Sequence, residues 1–207
     1  MKGKRSDRSR SPVRTLFWRF FANQAYAIAT MYFPGKNIIF LLILSVMMIP
    51  SQIILIPMYI IMRDLDWLNT YQALIVPGIA SAFGIFLLRQ FFMSTPREIN
   101  EAARIDGCSF FMIYWRIFLP LSVPALVSLS IFVLMASWND FIWPLILTNT
   151  TEMHVLSIAI SSFVYEYGAD FPSMMAAACL SVLPLITAFL FLQRYFIEGI
   201  AMTGVKG

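Results

Sequence analysis

The residues whose types and spacing best suit chemistry lie between two apolar runs, in the segment TPREINEAARIDG. It carries Glu101, Arg104 and Asp106 beside Ala102 and Ala103. Carboxylate and guanidinium groups form charge-assisted hydrogen bonds, which fix the orientation of a partner. Alanines beside them leave a flat surface that another backbone can approach closely. This chemistry is that of a contact between proteins.

Both ends of this segment carry signals for a short helix. Thr95 is a suitable N-cap, Pro96 suits the first helical position, and Glu98 completes a T-x-x-E capping box. Gly107 offers the left-handed conformation that stops a helix. The sequence therefore predicts a rigid, capped helix where an ordinary polar loop would suffice.

One face of the predicted helix is apolar and small. Ile99, Ala102 and Ala103 fall at positions i, i+3 and i+4. Two interpretations stay open, a surface for another protein and a turn whose alanines pack on this protein's own helices. Ser109 then caps a second helical piece that runs into an apolar span, so a force on the segment would reach the membrane helices.

A second set of polar groups lies within apolar sequence, namely Ser51, Gln52, Asn139 and Asp140. An ionisable group at membrane depth costs about 2.5–3.5 kcal/mol on insertion scales, so such groups usually face a cavity or a partner. We expect these four to line a substrate path. The alternatives are a helix break at the membrane surface, which we favour for Asp140, and polar groups that satisfy backbone carbonyls freed by Pro57.

Signatures of catalysis are missing from the sequence. It has no C-x-x-C, H-E-x-x-H or G-x-x-x-x-G-K-[ST] motif, and His154 has no second ligand beside it. Cys108 and Cys179 fall at different expected depths, so neither a disulfide nor a metal site is supported. We expect no catalytic residue, metal or cofactor in this chain, and no ATPase site of its own.

The composition indicates an all-α membrane protein. Of 207 residues 59% are hydrophobic and 13% are charged, with a mean hydropathy of +0.75, whereas soluble domains are about 25% charged. About 20 apolar residues cross a bilayer. Four windows are long enough and predict membrane-spanning helices over residues 38–62, 70–92, 117–145 and 171–195.

Basic residues predict the orientation of these spans, because they stay on the cytoplasmic side. The connector between the second and third spans holds Arg97, Arg104 and Arg116, whereas the loop 148–170 has acids but no Lys or Arg. The connector and the C-terminus are therefore expected in the cytoplasm. A basic tail, residues 1–20, precedes an apolar run that we interpret as a helix on the inner membrane face, with a signal peptide as the alternative.

The connector resembles a known motif. Glu101-Ala102-Ala103, then Gly107, Ile117 and Leu119-Pro120 match E-A-A-x3-G-x9-I-x-L-P, the EAA loop of permease subunits in bacterial ABC importers. The chain is similar to the carbohydrate-importer branch, which includes the second permease subunit of the maltose system. Five further stretches resemble that branch in the expected order: MMIPSQIILIP (Met47–Pro57), LNTYQALIVP (Leu68–Pro77), FGIFLLRQFF (Phe83–Phe92), WNDFIWPLI (Trp138–Ile146) and GIAMTGVKG (Gly199–Gly207).

The resemblance implies a type I permease core over residues 21–197, with the EAA loop at 95–120 and a cytoplasmic tail at 198–207. It implies that the EAA helix docks on an ATP-binding subunit and that the tail also contacts the ATPase pair. The implied partners are a second permease, two ATP-binding subunits that use the ATP, and an extracytoplasmic binding protein, at the bacterial cytoplasmic membrane. The residues implied in coupling are Glu101, Ala102, Ala103, Arg104, Asp106 and Gly107, and in the tail Gly204, Lys206 and Gly207.

The N-terminal part departs from the family, whose members usually begin with another transmembrane helix before the region that matches residue 25 onwards. Here a basic stretch of about 20 residues stands instead. We expect either a shortened, inactive relative or a gene start or frameshift that hides the helix. A self-contained secondary transporter or channel is a further alternative, but it predicts inverted repeats or paired intramembrane charges, and the sequence has neither.

Overall fold

The computed structural model describes residues 24–79, 81–166 and 171–204, and the regular elements in these ranges are helical. Side chains are described over 24–79, 81–163 and 171–193. The α-helices are α1 (24–30), α2 (Lys36–Met47), α3 (Ser51–Asp64), α4 (Tyr71–Ile75), α5 (Ala82–Ser94), α6 (Arg97–Ile105), α7 (Phe110–Ile113), α8 (Leu119–Leu121), α9 (Val123–Trp138), α10 (Ile142–Leu147), α11 (Leu156–Glu166) and α12 (Phe171–Gly204).

The first predicted span is not a single helix. The window 38–62 contains α2 and α3, which are bent by 95° at a short break. Pro50 lies at this break and has φ −58° and ψ 131°, outside the helical region. Its ring disfavours a helical conformation at Ile49 and it cannot donate a backbone hydrogen bond. The prediction of one continuous helix here is therefore wrong, although Pro57 is accommodated inside α3.

The third predicted span is also bent. The segment Phe110–Leu121 and helix α9 meet at 68°, between Pro120 and Pro124. Ser122 at this corner is fully buried, and its hydroxyl donates to the Leu119 carbonyl at 2.9 Å. The predicted window 117–145 therefore starts before the corner and ends inside α10.

The predicted window 171–195 lies in α12, and the window 70–92 is covered by α4, the short turn Pro77–Ile79 and α5. Tyr71–Ser94 has 24 residues and Phe171–Gln193 has 23. By length and composition these two stretches can each cross a membrane, and the described residues hold up to four spans if each bent pair is one span.

A compact apolar core joins α1, α5, α6 and α9. The Tyr26 ring of α1 lies 5.3 Å from the ring of Tyr114 and 4.9 Å from that of Phe118, between ring centroids. The segment predicted to associate with the membrane surface is therefore packed against the helices over residues 24–30. The buried residues of this core are Ala25, Tyr26, Leu88, Phe91, Phe92, Ala103, Ile113, Tyr114, Phe118, Ala125 and Leu129.

A smaller cluster holds α3, α4 and α10 together through Met62, Ala73 and Leu147. Hydrogen bonds reinforce it, because the indole Nε1 of Trp143 donates to the Ala73 carbonyl at 3.2 Å. The Asn69 backbone nitrogen also donates to the Leu147 carbonyl at 2.7 Å. These contacts join two stretches that are far apart in sequence.

Candidate functional site: helix α6 and a polar cavity

The start of α6 differs from its prediction. The helix begins at Arg97, and no side chain caps its first turn. Pro96 is in an extended conformation, with ψ 135°, which leaves Thr95 one residue too early to serve as the cap. The Thr95 hydroxyl donates instead to the Phe91 carbonyl at 3.4 Å. The predicted capping box is therefore wrong.

The end of α6 agrees with the sequence. Gly107 has φ +78°, in the left-handed region. Its backbone nitrogen donates to the Arg104 carbonyl at 3.1 Å, and the Cys108 nitrogen donates to the Ala103 carbonyl at 3.0 Å. This pair of bonds is the Schellman motif, which satisfies carbonyls that a helix end leaves free. The left-handed stop predicted at Gly107 is confirmed.

The two alanines of α6 face different surroundings. Ala103 is 5% exposed and belongs to the aromatic core. Ala102 is exposed and lies on one face with Glu98, Glu101 and Ile105, at positions i, i+3, i+4 and i+7. Ile105 is 86% exposed although it is apolar. The packing interpretation therefore holds for Ala103, while Ala102 lies on a surface open to a partner.

The C-terminal end of α6 is joined to the next helices by contacts between exposed residues. Arg104 lies over the Phe110 ring of α7, with 5.0 Å between its guanidinium carbon and the ring centroid. Ser109 caps α7 by accepting a hydrogen bond from the Met112 nitrogen at 3.3 Å. A π-helical turn over Tyr114–Phe118 follows and joins α8. Asp106 is exposed at the C-cap of α6. Helix α6 is thus connected through α7 and the π-helical turn to α8 and α9.

A cavity of about 810 Å³ lies between α3, α4, α9 and α10. Its lining includes Ser51 and Gln52 at the start of α3 and Asn139 and Asp140 after α9. The structure thus brings together the four polar residues that the sequence singled out from two distant stretches. Sequence reasoning missed one further polar lining group, Ser137. Its position two residues before Asn139 was the available signal.

The polar side chains of this cavity are only partly satisfied by the chain itself. The Ser51 hydroxyl donates to Gln52 Oε1 at 3.5 Å, and the Asn139 amide donates to the Met135 carbonyl at 2.8 Å. No described residue accepts a hydrogen bond from the Gln52 amide nitrogen. The lining thus places the amide residues Gln52 and Asn139 near Trp143, together with Asp140.

Asp140 has a structural task at the break between α9 and α10. Its Oδ1 accepts a hydrogen bond from the Trp143 backbone nitrogen at 3.4 Å, in the first turn of α10. Its carbonyl accepts one from the Ser157 hydroxyl at 2.8 Å. These contacts fit the helix-break interpretation, and its carboxylate lines the cavity as well.

Part of the predicted site lies at the edge of the described structure. Gly204 is the last residue of α12. Lys206 and Gly207, with the basic tail over residues 1–20, lie outside the described residues. The tail contacts that the resemblance implies therefore stay predictions.

Comparison with known proteins identifies the family. A sequence model of the "binding-protein-dependent transport system inner membrane component" matches residues 25–201. The chain belongs to this family. As an inner-membrane permease component of ABC importers, it works with a solute-binding protein and an ATPase. The matched range contains α6 and the polar cavity.

Similar proteins include permeases for arabinooligosaccharides and for sn-glycerol-3-phosphate. The chain is 35% identical over 210 residues to the arabinooligosaccharides transport system permease protein AraQ of Halalkalibacterium halodurans, covering 93% of this chain and 75% of the relative. It is 38% identical to AraQ of Bacillus subtilis, with coverages of 94% and 69%. The sn-glycerol-3-phosphate permease protein UgpE of Yersinia enterocolitica is 36% identical over 178 residues, with coverages of 85% and 63%. These relatives confirm the resemblance to permeases of carbohydrate ABC importers.

A solved structure has the same fold. A bacterial ABC transporter involved in the import of the acidic polysaccharide alginate matches the permease with a TM-score of 0.74 and 25% identity. The match covers 89% of this chain and 72% of that one. It confirms the expected helical permease fold.

Proposed function

We propose that this permease forms half of the membrane path of an ATP-driven importer for a sugar, a polyol or an oligosaccharide. The other half is a second permease subunit, two cytoplasmic ATP-binding subunits supply the energy, and an extracytoplasmic protein delivers the solute. Residues of α6 pass the closure of the ATPase pair to the membrane helices, which alternate between outward- and inward-facing states.

One observation carries this proposal, namely the division of α6 into two faces. Ala103 is buried among aromatic rings of the membrane helices, whereas Glu101, Ala102 and Ile105 are exposed. A helix that is both docked to the bundle and open to a partner transmits displacement, since packed interiors have low compressibility. The exposed carboxylates give a basic partner surface a charge to pair with.

The substrate path in this proposal runs through the cavity of about 810 Å³. Gln52 and Asn139 supply amides there, and Trp143 supplies an aromatic face. Sugars present hydroxyl groups and apolar C–H faces, which such a lining matches. The relatives support this chemical class, since they include two arabinooligosaccharide permeases.

The orientation in the proposal follows the basic residues. The α6 connector carries Arg97, Arg104 and Arg116, so it faces the cytoplasm together with the C-terminal tail. The ATP-binding subunits are cytoplasmic, and an exposed α6 face on that side is where they can reach it.

The test is Glu101→Lys in the assembled transporter, reconstituted in proteoliposomes with the ATPase subunits and the binding protein. The change reverses the charge on the exposed face of α6 and leaves the buried face intact. We expect ATP-dependent uptake to fall at least about 100-fold, as for the loss of a buried interfacial charge contact worth roughly 3 kcal/mol. Membrane insertion should stay normal.

The matched control is Glu152→Lys, which reverses an exposed carboxylate in the short helical turn Thr151–Met153, outside α6. It should leave uptake unchanged. Normal uptake in the Glu101→Lys transporter would contradict the proposal. A similar loss in both variants would also contradict it, because the effect would then not belong to α6.

A further inference from the structure

A second, smaller cavity lies beside the polar cavity, between the end of α9, α11 and α12, and we call it the side pocket. It has a volume of about 250 Å³ and is lined by Trp138, Asn139, Leu156, Ser157, Ile160 and Ser181. Asn139 also lines the polar cavity. The Ser157 hydroxyl of the side pocket donates to the carbonyl of Asp140, which lines the polar cavity as well. The two cavities therefore adjoin at Asn139 and Asp140.

Three hydrogen-bond donors of the side pocket are already bonded to the chain. The indole Nε1 of Trp138 donates to the Ser181 carbonyl at 3.1 Å. The Ser157 hydroxyl donates to the Asp140 carbonyl at 2.8 Å, and the Ser181 hydroxyl donates to the Ala178 carbonyl at 2.7 Å. A hydroxyl group has one hydrogen and two lone pairs. Because both serine hydrogens are used within the chain, these hydroxyl oxygens can only accept a hydrogen bond from a ligand.

The ligand that fits these groups is neutral and carries hydroxyl groups. None of the six described residues of the lining carries a charge, so an ionic ligand would lose its hydration there without a charged partner. The serine oxygens accept hydrogen bonds, and sugar hydroxyl groups can donate them. The Trp138 ring and the side chains of Leu156 and Ile160 supply apolar surface for the C–H face of a sugar ring. The side pocket thus has the chemistry of a saccharide site.

The sizes of the two cavities indicate how they share a solute. Pockets that enclose a drug-sized ligand measure about 300–1,000 Å³. The polar cavity, at about 810 Å³, lies within this range, whereas the side pocket, at about 250 Å³, lies below it. A short saccharide therefore fits the polar cavity alone, and the side pocket has room for one end of a longer saccharide.

We propose that the side pocket is a second saccharide subsite, which binds the end unit of an oligosaccharide whose other units occupy the polar cavity. Ser181 accepts a hydrogen bond from a hydroxyl group of this end unit, and Asn139 lies where the two parts of the solute meet. The inference rests on the proposed transport function and narrows its solute to oligosaccharides that extend beyond the polar cavity.

The test is the protection of single cysteines from a small thiol reagent in the assembled transporter, in a chain with Cys108→Ser and Cys179→Ser. Ile160→Cys reports on the side pocket and Ile54→Cys on the polar cavity. We expect arabinotetraose to slow labelling at both positions and arabinobiose to slow it at Ile54→Cys alone. The control is Ala159→Cys, at an exposed position of α11 outside both linings, where neither sugar should change the labelling rate.

A second variant tests the acceptor in the side pocket. Ser181→Ala removes the hydroxyl oxygen and keeps the carbonyl that binds Trp138. It should raise the arabinotetraose concentration for half-protection of Ile160→Cys about fivefold, from roughly 1 kcal/mol for one hydrogen bond. Half-protection of Ile54→Cys by arabinobiose should not change. The matched control is Ser130→Ala, because the Ser130 hydroxyl also donates to a carbonyl of its own helix, at 2.7 Å, and lies outside both linings.

Four results would overturn the subsite. Protection of Ile54→Cys without protection of Ile160→Cys would refute the side pocket and leave the proposed substrate path intact. Protection of neither cysteine by either sugar would refute the path together with the subsite. Equal protection of Ile160→Cys by arabinobiose and arabinotetraose would contradict the division of the solute between two cavities. Equal half-protection concentrations in Ser181→Ala and Ser130→Ala would contradict the hydrogen bond that the subsite requires.

Discussion

Helix α6 and the polar cavity are held in different ways. Around α6, aromatic rings pack closely, and Phe92, Tyr114 and Phe118 are each at most 2% exposed. Around the cavity, α3, α4 and α10 share a small cluster, and two kinds of hydrogen bond join distant stretches: Asn69 Oδ1 accepts from the Asn149 nitrogen, and the Trp143 indole donates to the Ala73 carbonyl. Close packing transmits a displacement, whereas a few directional bonds around a wide cavity leave room for opening. The difference fits the proposal that a displacement of α6 is transmitted to the membrane helices and that the cavity then changes its opening.

The largest effect should follow from removing an aromatic ring at the α6 core. Phe92 is 2% exposed and contacts Tyr26 and Phe118, with centroids 5.9 and 5.8 Å away. Phe92→Ala should lower the free energy of unfolding by about 3–5 kcal/mol, because it leaves a cavity. Thermal unfolding in detergent measures this change. The control Phe111→Ala removes a ring that is 73% exposed. An equally large loss of unfolding free energy in this variant would contradict the claim that the core around α6 is closely packed.

The next effect concerns the hydrogen bonds near the cavity. Asn69 Oδ1 accepts from the backbone nitrogens of Asn149 and Thr150 at 3.1 and 3.2 Å, and Asn69 has a left-handed φ of 58°. Asn69→Ala leaves those donors without this partner and strains the backbone, so it should cost about 2–3 kcal/mol. Asn149→Ala keeps the backbone donor and should cost little. Equal thermal stability of the two variants would show that the side chain of Asn69 does not hold this region.

A smaller effect is expected at the end of α6. Gly107 has φ +78°, and an added Cβ meets no atom within 4 Å. Gly107→Ala should therefore cost only backbone strain, about 1–2 kcal/mol. Gly107→Asn should cost less, since Asn tolerates this conformation. Gly78→Ala, at a glycine with open space and no positive φ, is the control in the same unfolding measurement. A loss at Gly78 as large as at Gly107 would contradict the strain argument.

The smallest effect on stability, but a distinct one on transport, is expected at the cavity. Gln52 is exposed and lines the cavity, so Gln52→Ala should change unfolding by less than about 0.5 kcal/mol. The loss of one hydrogen bond to the solute should lower uptake about fivefold, from roughly 1 kcal/mol. Gln72→Ala removes an exposed amide outside the cavity lining and should leave uptake intact. Equal uptake by the Gln52→Ala and Gln72→Ala transporters would show that Gln52 does not contact the solute.

Local signals in the sequence predicted local geometry well. The left-handed stop at Gly107 depends only on the residue's own backbone freedom, and it is confirmed. The apolar windows 70–92 and 171–195 also correspond to helical stretches of spanning length. The expected permease fold of the carbohydrate-importer type is confirmed by the family match and the solved structure.

Features that depend on tertiary contacts were not predictable. The chain breaks at Pro50 but stays helical through Pro57, and composition does not distinguish the two prolines. The spacing of Ala102 and Ala103 put both on one face, whereas packing against the aromatic core buries only Ala103. Ser51 and Asn139 are far apart in sequence, so only the folded chain brings them to one cavity. Their role in the substrate path, and the coupling role of α6, stay predictions.

The most direct test of the coupling proposal compares two neighbouring positions. The native cysteines are first replaced by Cys108→Ser and Cys179→Ser. In this background, Ala102→Cys and Ala103→Cys are made separately. Each variant is assembled with its ATP-binding subunits and treated with a short thiol-to-amine cross-linker. We expect Ala102→Cys to cross-link to an ATP-binding subunit, with a yield that changes when ATP is added, and Ala103→Cys to give no cross-link. A cross-link from Ala103→Cys alone, or from neither variant, would contradict the account.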